Sequence, residues 1–163
     1  MNWVCIVMGS DSDAEVMSQA CAALDEVGVK YEMKVASAHR TPERTQQVVT
    51  EAERDGAQVF IAGAGLAAHL PGVVASLTTK PVIGVPLSGS ALQGFDSLLA
   101  IVQMPPGIPV ATVAIGGARN AGILAAQIIA TSDADVGGRL KAMRAAMVDG
   151  VIAKSKKVER STR

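Results

Sequence analysis

The chain has 163 residues, which is enough for one domain with a sizeable apolar core. Its 15 acidic and 15 basic residues cancel, so neither an overall basic surface for nucleic acid nor an acidic disordered tail is indicated. Only 2% of the residues are aromatic, which excludes a platform for stacking several bases or a flavin ring.

Short apolar runs alternate with helical patterns along the chain, and β-branched content and length separate the two. The predicted strands are Trp3–Met8, Tyr31–Ala36, Ala57–Ala62, Pro81–Val85 and Val110–Ile115. The predicted helices run from a capping box at Ser12–Glu15 to Gly28, from Pro42 behind a Thr41 cap to Arg54, from the glycine-rich turn after Ala62 to Leu77, from Ser97 to Gln103, and from Asn120 to Ala130.

This alternation predicts an α/β protein with a parallel sheet, right-handed crossovers and helices on both faces. Five strands favour a flavodoxin-like three-layer sandwich. We expect a single domain over residues 1–163, with a core at about 3–131 and a charged helical tail at 132–163. Leu140, Met143, Met147 and Val151 have helical spacing in that tail, which is either a solvated helix with a frayed end or an arm that packs on a neighbouring subunit.

Charge is nearly absent from the middle of the chain. Between Gln58 and Ser132 the only charged residues are Lys80, Asp96 and Arg119. Glycine, proline and polar residues recur there, so a membrane span is not indicated. The pattern instead predicts a surface that other subunits cover, and hence a homo-oligomer.

The two cysteines, Cys5 and Cys21, form no CxxC pair and lie in a predicted strand and helix. They are typical of buried, unreactive thiols in a reducing compartment. The first residues lack the basic start and long apolar run of a signal peptide, so a cytoplasmic protein is expected.

The polar motifs follow the predicted strands, where ligands bind in open parallel sheets. Ser10 and Ser12 after the first strand suit a phosphate, although an ordinary capped turn has the same residues. Asp13 suits sugar hydroxyls better than an anion. Arg40 after the second strand is either a phosphate clamp or a surface arginine.

His39 and His69 are the only histidines, and neither has the spacing of a metal site. Each alone is more often structural, but together, on what we expect to be adjacent strand ends, they indicate an active site. The chain has no P-loop and no nucleophile elbow, and GAGLAA is a weak dinucleotide fingerprint. The residues therefore predict an oligomeric α/β protein that binds a phosphorylated small molecule beside an acid/base histidine.

Longer motifs add a resemblance. In order, they are GSDSD, SAHRTP, AGAGLAAHLPG, GVP, DSLLAIVQMPPGIPVATVAIG and NAGILAAQI. From about Val4 to Ala130 the chain resembles the 5-(carboxyamino)imidazole ribonucleotide mutases of purine biosynthesis. The resemblance implies a flavodoxin-like homo-octamer that moves a carboxylate from an exocyclic nitrogen to a ring carbon of a phosphoribosyl aminoimidazole. It also implies that no ATP, biotin, metal or other cofactor, nucleic acid or membrane takes part.

The same resemblance assigns roles to individual residues. It implies that His39 is the general acid/base and that Asp13 binds the ribose. The implied phosphate ligands are Ser10, Ser12, Ser37 and Arg40, and the implied pocket residues are Ala38, Gly63, Ala64, Gly65, Ala68 and His69.

Two further sequence features bear on this assignment. A second branch of the family carboxylates the aminoimidazole directly, and the resemblance gives it a lysine where this chain has Arg40 and no AAHLPG motif. Leu66 departs from the family, which usually has glycine there, and its side chain either narrows the pocket or points away. The alternative from another class is a non-catalytic phosphoribosyl- or nucleotide-binding module on the same fold.

Overall fold

The computed structural model describes residues 2–161. The strands are β1 (Trp3–Met8), β2 (Lys30–Val35), β3 (Ala57–Gly65), β4 (Val82–Leu87) and β5 (Ala111–Thr112). The helices are α1 (Ala14–Glu26), α2 (Pro42–Arg54), α3 (Leu70–Leu77), α4 (Phe95–Val102), α5 (Ala118–Ala130) and α6 (Ala134–Ser161). All strand pairs are parallel, in the order β2-β1-β3-β4-β5, which confirms the flavodoxin-like α/β prediction.

Side chains of β1 alternate between two apolar cores. Val4 and Ile6 pack with α1, α5 and α6, whereas Cys5 and Val7 pack with α2, α3 and Ile101 of α4. Burial raises the pKa of the Cys5 thiol to about 12, so Cys5 stays protonated and unreactive, as expected. β1 is therefore enclosed on both faces and flanked by β2 and β3, and β3 is the central strand of the five.

Helices cover both faces of the sheet, as predicted, but two side chains of its edge strand β2 remain partly exposed. Met33 and Val35 of β2 are 39% and 42% exposed. Because β2 is an edge strand, only β1 pairs with it.

Several predicted boundaries need correction. The capping box at Ser12 does not form: Ser10 instead accepts from the Ser12 backbone N–H, and a single 3₁₀ turn over Asp11–Asp13 precedes α1. Thr41 precedes α2, but its hydroxyl binds the backbone of Ser37 rather than capping the helix. The fifth strand is limited to two residues, although the chain stays beside β4 beyond it: the N–H groups of Val113 and Gly116 donate to the backbone oxygens of Gly84 and Pro86.

The tail is one continuous helix through its three glycines. Val136 and Leu140 near its start are buried against the α1–α5 core, and Arg139 donates to the backbone oxygen of Val27. Farther along, Met147 and Val151 are exposed. Within residues 2–161, no helix has the length and apolarity needed to cross a membrane.

Candidate active site

A cavity of about 650 Å³ lies across the carboxyl ends of β2, β1, β3 and β4. Its lining residues are Gly9, Ser10, Ser12, Asp13, Ser37, Ala38, His39, Arg40, Ala64, Gly65, Leu66, Ala67, Leu70, Leu87, Ser88 and Gly89. The helices that follow β1 and β3 lie on opposite faces of the sheet, so the cavity occupies the point where such folds bind ligands.

The loop after β1 presents hydroxyl groups at the start of a helical segment. Ser12 donates from both its backbone N–H and its hydroxyl to Oγ of Ser10, at 3.4 and 3.0 Å. Ser10 in turn donates to a carboxylate oxygen of Asp11. These donors are grouped at the positive end of α1, which suits an anion.

The loop after β2 is tied to the loop after β1 through Arg40. Its Nη2 donates to the backbone oxygen of Gly9 at 3.1 Å, and Ser37 Oγ accepts from its backbone N–H at 3.2 Å. Thr41 closes this loop by bonding to both backbone groups of Ser37. No carboxylate in residues 2–161 forms an ion pair with Arg40, so its charge is available to an anionic ligand.

Asp13 is half-buried at the same end of the cavity. Burial raises the pKa of its carboxyl above the ordinary value, opposed by a hydrogen bond with the Ser10 backbone and reinforced by the charge of Asp11. Keeping the Asp13 carboxyl ionised in this position lowers the stability of the folded protein. The ionised carboxylate is suited to accept hydrogen bonds from sugar hydroxyls.

His39 and His69 are in direct contact. Nε2 of His39 lies 2.7 Å from Nδ1 of His69, and the rings meet edge to face with centroids 4.8 Å apart. The prediction that they lie on adjacent strand ends is wrong, because β1 separates β2 from β3. The two loops instead reach across the end of β1. His69 is also exposed, despite its apolar sequence surroundings.

The motif that follows the predicted third strand lies partly within β3 and partly in the apolar core. Because β3 continues to Gly65 between β1 and β4, Gly63 lies inside the sheet, where an added Cβ would collide with the side chain of Met17. Ala68 is 1% exposed, and neither it nor Gly63 lines the cavity. Ala64 and Gly65 do line it.

Sequence reasoning missed the contribution of β4. The predicted strand ended at Val85, but β4 continues through Pro86 to Leu87, and Ser88 and Gly89 follow it into the cavity wall. The apolar run that continues through Leu87 was the available signal.

The cavity therefore has two ends of different chemistry. Loops after β1 and β2 supply its polar end, with Ser10, Ser12, Asp13, Ser37 and Arg40. The ends of β3 and β4, the segments that follow them and the start of α3 supply a mostly apolar end, which Ala64, Leu66, Ala67, Leu70 and Leu87 line together with Ser88 and Gly89. The histidine pair connects a loop of the first kind to a loop of the second. Among residues 2–161, no group of three or more His, Cys, Asp or Glu side chains is placed to hold a metal.

Comparison with known proteins places this architecture among relatives. A sequence model of the family described as AIR carboxylase matches residues 3–149. The N5-carboxyaminoimidazole ribonucleotide mutase of Pyrococcus abyssi is 58% identical over 85% of this chain and 80% of its own. The protein of the same name from Methanocaldococcus jannaschii is 53% identical over 96% of this chain and 97% of its own. The crystal structure of Treponema denticola PurE has a TM-score of 0.88 at 28% identity, covering 96% of this chain and 98% of that one.

Proposed function

The chain belongs to the AIR carboxylase family, and we propose that it is an isomerase that converts 5-(carboxyamino)imidazole ribonucleotide to 4-carboxy-5-aminoimidazole ribonucleotide in de novo purine biosynthesis. The relatives from Pyrococcus abyssi and Methanocaldococcus jannaschii, which are 58% and 53% identical to it, carry the name of this mutase. By the resemblance described above, Arg40 and the AAHLPG motif, residues 67–72, also favour the mutase over the branch that carboxylates directly.

The polar end of the cavity holds the phosphoribosyl group. The hydroxyls of Ser10, Ser12 and Ser37 and the guanidinium of Arg40 surround the phosphate, and Asp13 accepts from the ribose. Binding at this end places the aminoimidazole ring beside His39 and toward the apolar end. Ala38, Ala64 and Gly65 line the cavity around the ring. Gly63 and Ala68 do not line it and contribute only by packing behind the lining residues.

The reaction needs one proton to be given and one to be taken. Cleavage of the carbamate C–N bond with protonation of the nitrogen leaves a neutral aminoimidazole and CO2. The ring carbon then attacks CO2 to form a C–C bond, and loss of its proton restores aromaticity. A single acid/base group that first donates and then accepts balances both steps.

His39 is that group, and its contact with His69 is the observation that carries the proposal. The two imidazoles are joined by one N–H···N hydrogen bond, in which one ring nitrogen donates and the other accepts. His69 thereby holds the ring of His39 in one orientation while both face the strand-end loops. A purely binding module has no need for such a pair, which is why we favour the enzyme over that alternative.

We propose further that the protein works as a cytoplasmic homo-octamer, without a metal or other cofactor. Large apolar side chains are exposed on α4 and on the outer half of α6, including Phe95, Leu99, Met147 and Val151. Exposed apolar surface of this extent supports burial between subunits.

Turnover of the carboxyamino substrate tests the proposal. Purified protein in EDTA, without ATP or bicarbonate, is expected to convert it to the carboxy product. Binding of the phosphorylated product without any turnover would favour the binding module instead. Activity lost on chelation and restored by one metal would contradict the cofactor-free mechanism.

A further inference from the structure

Leu66 combines two unfavourable features at the edge of the cavity. Its φ of 55° is left-handed, a conformation that costs an L-residue energy and costs glycine little. It is also 59% exposed, so the subunit gains little from burying it. Neither the backbone nor hydration favours leucine here, so its occurrence needs another reason.

The backbone around Leu66 is held firmly by neighbouring elements. The carbonyl oxygen of Leu66 accepts from the N–H of Ala68 at 2.9 Å, and that of Ala67 accepts from His69 at 2.9 Å, just before α3 begins. On the other side, a Cβ added to Gly65 would lie 3.3 Å from the backbone oxygen of Leu87. Leu66 is therefore positioned by both β4 and α3.

The surroundings of Leu66 are the apolar end of the cavity. Ala64, Ala67, Leu70 and Leu87 line this end with it, together with Ser88 and Gly89, and the charged groups lie at the other end. CO2 is neutral and weakly hydrated, so an apolar wall holds it without a polar ligand, and an apolar side chain at the rim keeps water out.

We propose that Leu66 is a retention residue, whose side chain covers the apolar end of the cavity and keeps CO2 beside the ring until the new C–C bond forms. This role rests on the proposed function. The competing route is loss: after the C–N bond breaks and the nitrogen takes a proton, CO2 leaves the cavity, is hydrated to bicarbonate, and free aminoimidazole ribonucleotide remains. A covered cavity favours recapture because it keeps the reactants together.

The test measures how the carboxyl carbon is partitioned. Substrate labelled at its carboxyl carbon is converted by the parent protein and by three variants, with loss in an enzyme-free blank subtracted. Leu66→Gly removes the side chain and suits the left-handed backbone, Leu66→Asn keeps similar size and tolerates that backbone but is polar, and Leu66→Met keeps an apolar side chain. Thermal melting of each variant reports on folding.

Leu66→Gly and Leu66→Asn are expected to raise the released fraction of label severalfold relative to product, with unchanged or higher melting temperatures. Leu66→Met is expected to stay near the parent. A released fraction in Leu66→Gly equal to that of the parent, with normal product formation, would contradict the retention role alone. Failure of the parent to form product would count against the proposed function and this role together.

Discussion

Nε2 of His39 lies 2.7 Å from Nδ1 of His69, although the strands that precede them, β2 and β3, are not neighbours in the sheet. The contact forms above the end of β1, the strand that lies between them. It joins the loop that carries the proposed phosphate ligand Arg40 to the loop that begins α3.

Replacing His39 with asparagine is expected to remove the proton carrier and keep the fold. Asn has a similar size and some hydrogen-bonding capacity but does not titrate. Turnover should fall by at least about a hundredfold, the low end of general acid–base contributions. Steady-state kinetics beside a binding titration with the product separate the two effects. Near-normal turnover would transfer the proton role to His69, and loss of binding together with turnover would make His39 a ligand-positioning residue.

Arg40→Ala is expected to weaken binding of the phosphorylated product by about 1.5–3 kcal/mol, the value of one charge-assisted hydrogen bond. Arg44→Ala is the matched control, since Arg44 donates to the backbone of Val35 and does not line the cavity. Calorimetric titration of both variants with the phosphorylated product measures the difference in affinity. Equal affinities in the two variants would place the phosphate elsewhere.

Asp13→Asn is expected to stabilise the folded protein at neutral pH while weakening ligand binding. Burial raises the pKa of Asp13 in the folded state, so that state binds the proton more tightly than the unfolded chain does. The associated stability is therefore present at low pH and is lost as pH rises through the folded-state value. Melting temperatures of parent and variant should differ at pH 7 and converge below about pH 3, where carboxyls are protonated in both states. A variant that is less stable than the parent at pH 7 would show that the sign is wrong.

Gly63→Ala is expected to act through packing. An added Cβ collides with the side chain of Met17 in α1, and overpacking of this kind costs about 1–3 kcal/mol. Denaturant unfolding measures the loss. Gly89→Ala is a suitable control, because a Cβ at Gly89 meets nothing within 4 Å. Unchanged stability of Gly63→Ala would show that the Met17 side chain shifts aside without cost.

The proposed octamer predicts that a charge on the exposed apolar surface will reduce assembly. Phe95 is 63% exposed on α4, and Phe95→Lys is expected to produce smaller species. Gln46→Lys on α2 is the comparison, since Gln46 is exposed and polar in the parent. Sedimentation equilibrium at micromolar concentration distinguishes these outcomes. A parent protein that sediments as a monomer would remove the reason for the low charge between Gln58 and Ser132.

Local patterns in the sequence predicted most of the fold, and contacts between distant segments account for the rest. The alternation of apolar runs and helical stripes identified all five strands and the order of the helices, because burial imposes those periods locally. The glycines of β3 have the composition of a turn. They form a strand because β1 and β4 pair with them on both sides and because Met17 leaves no room for a side chain at Gly63.

The candidate site was likewise predicted in part from local sequence, and the rest depends on contacts between distant segments. Ser10, Asp13, His39 and Arg40 were predicted to lie at one edge of the sheet because they follow predicted parallel strands, and the structure brings them to one cavity. The contact between His39 and His69 depends on two loops crossing the end of β1, which no spacing in the chain encodes. Leu87, Ser88 and Gly89 were missed because the end of β4 depends on pairing with β3 as far as Gly65.

The two-ended cavity has a consequence for how such a fold diversifies. The polar end and the apolar end are supplied by separate loops, each anchored to its own strand, and one histidine pair is the bridge between them. A change in the loops after β3 and β4 alters the cavity volume available to the heterocycle without changing the groups proposed to bind the phosphoribosyl group. The scaffold is thus modular: one end can keep its ligand chemistry while the other is remodelled for a different ring.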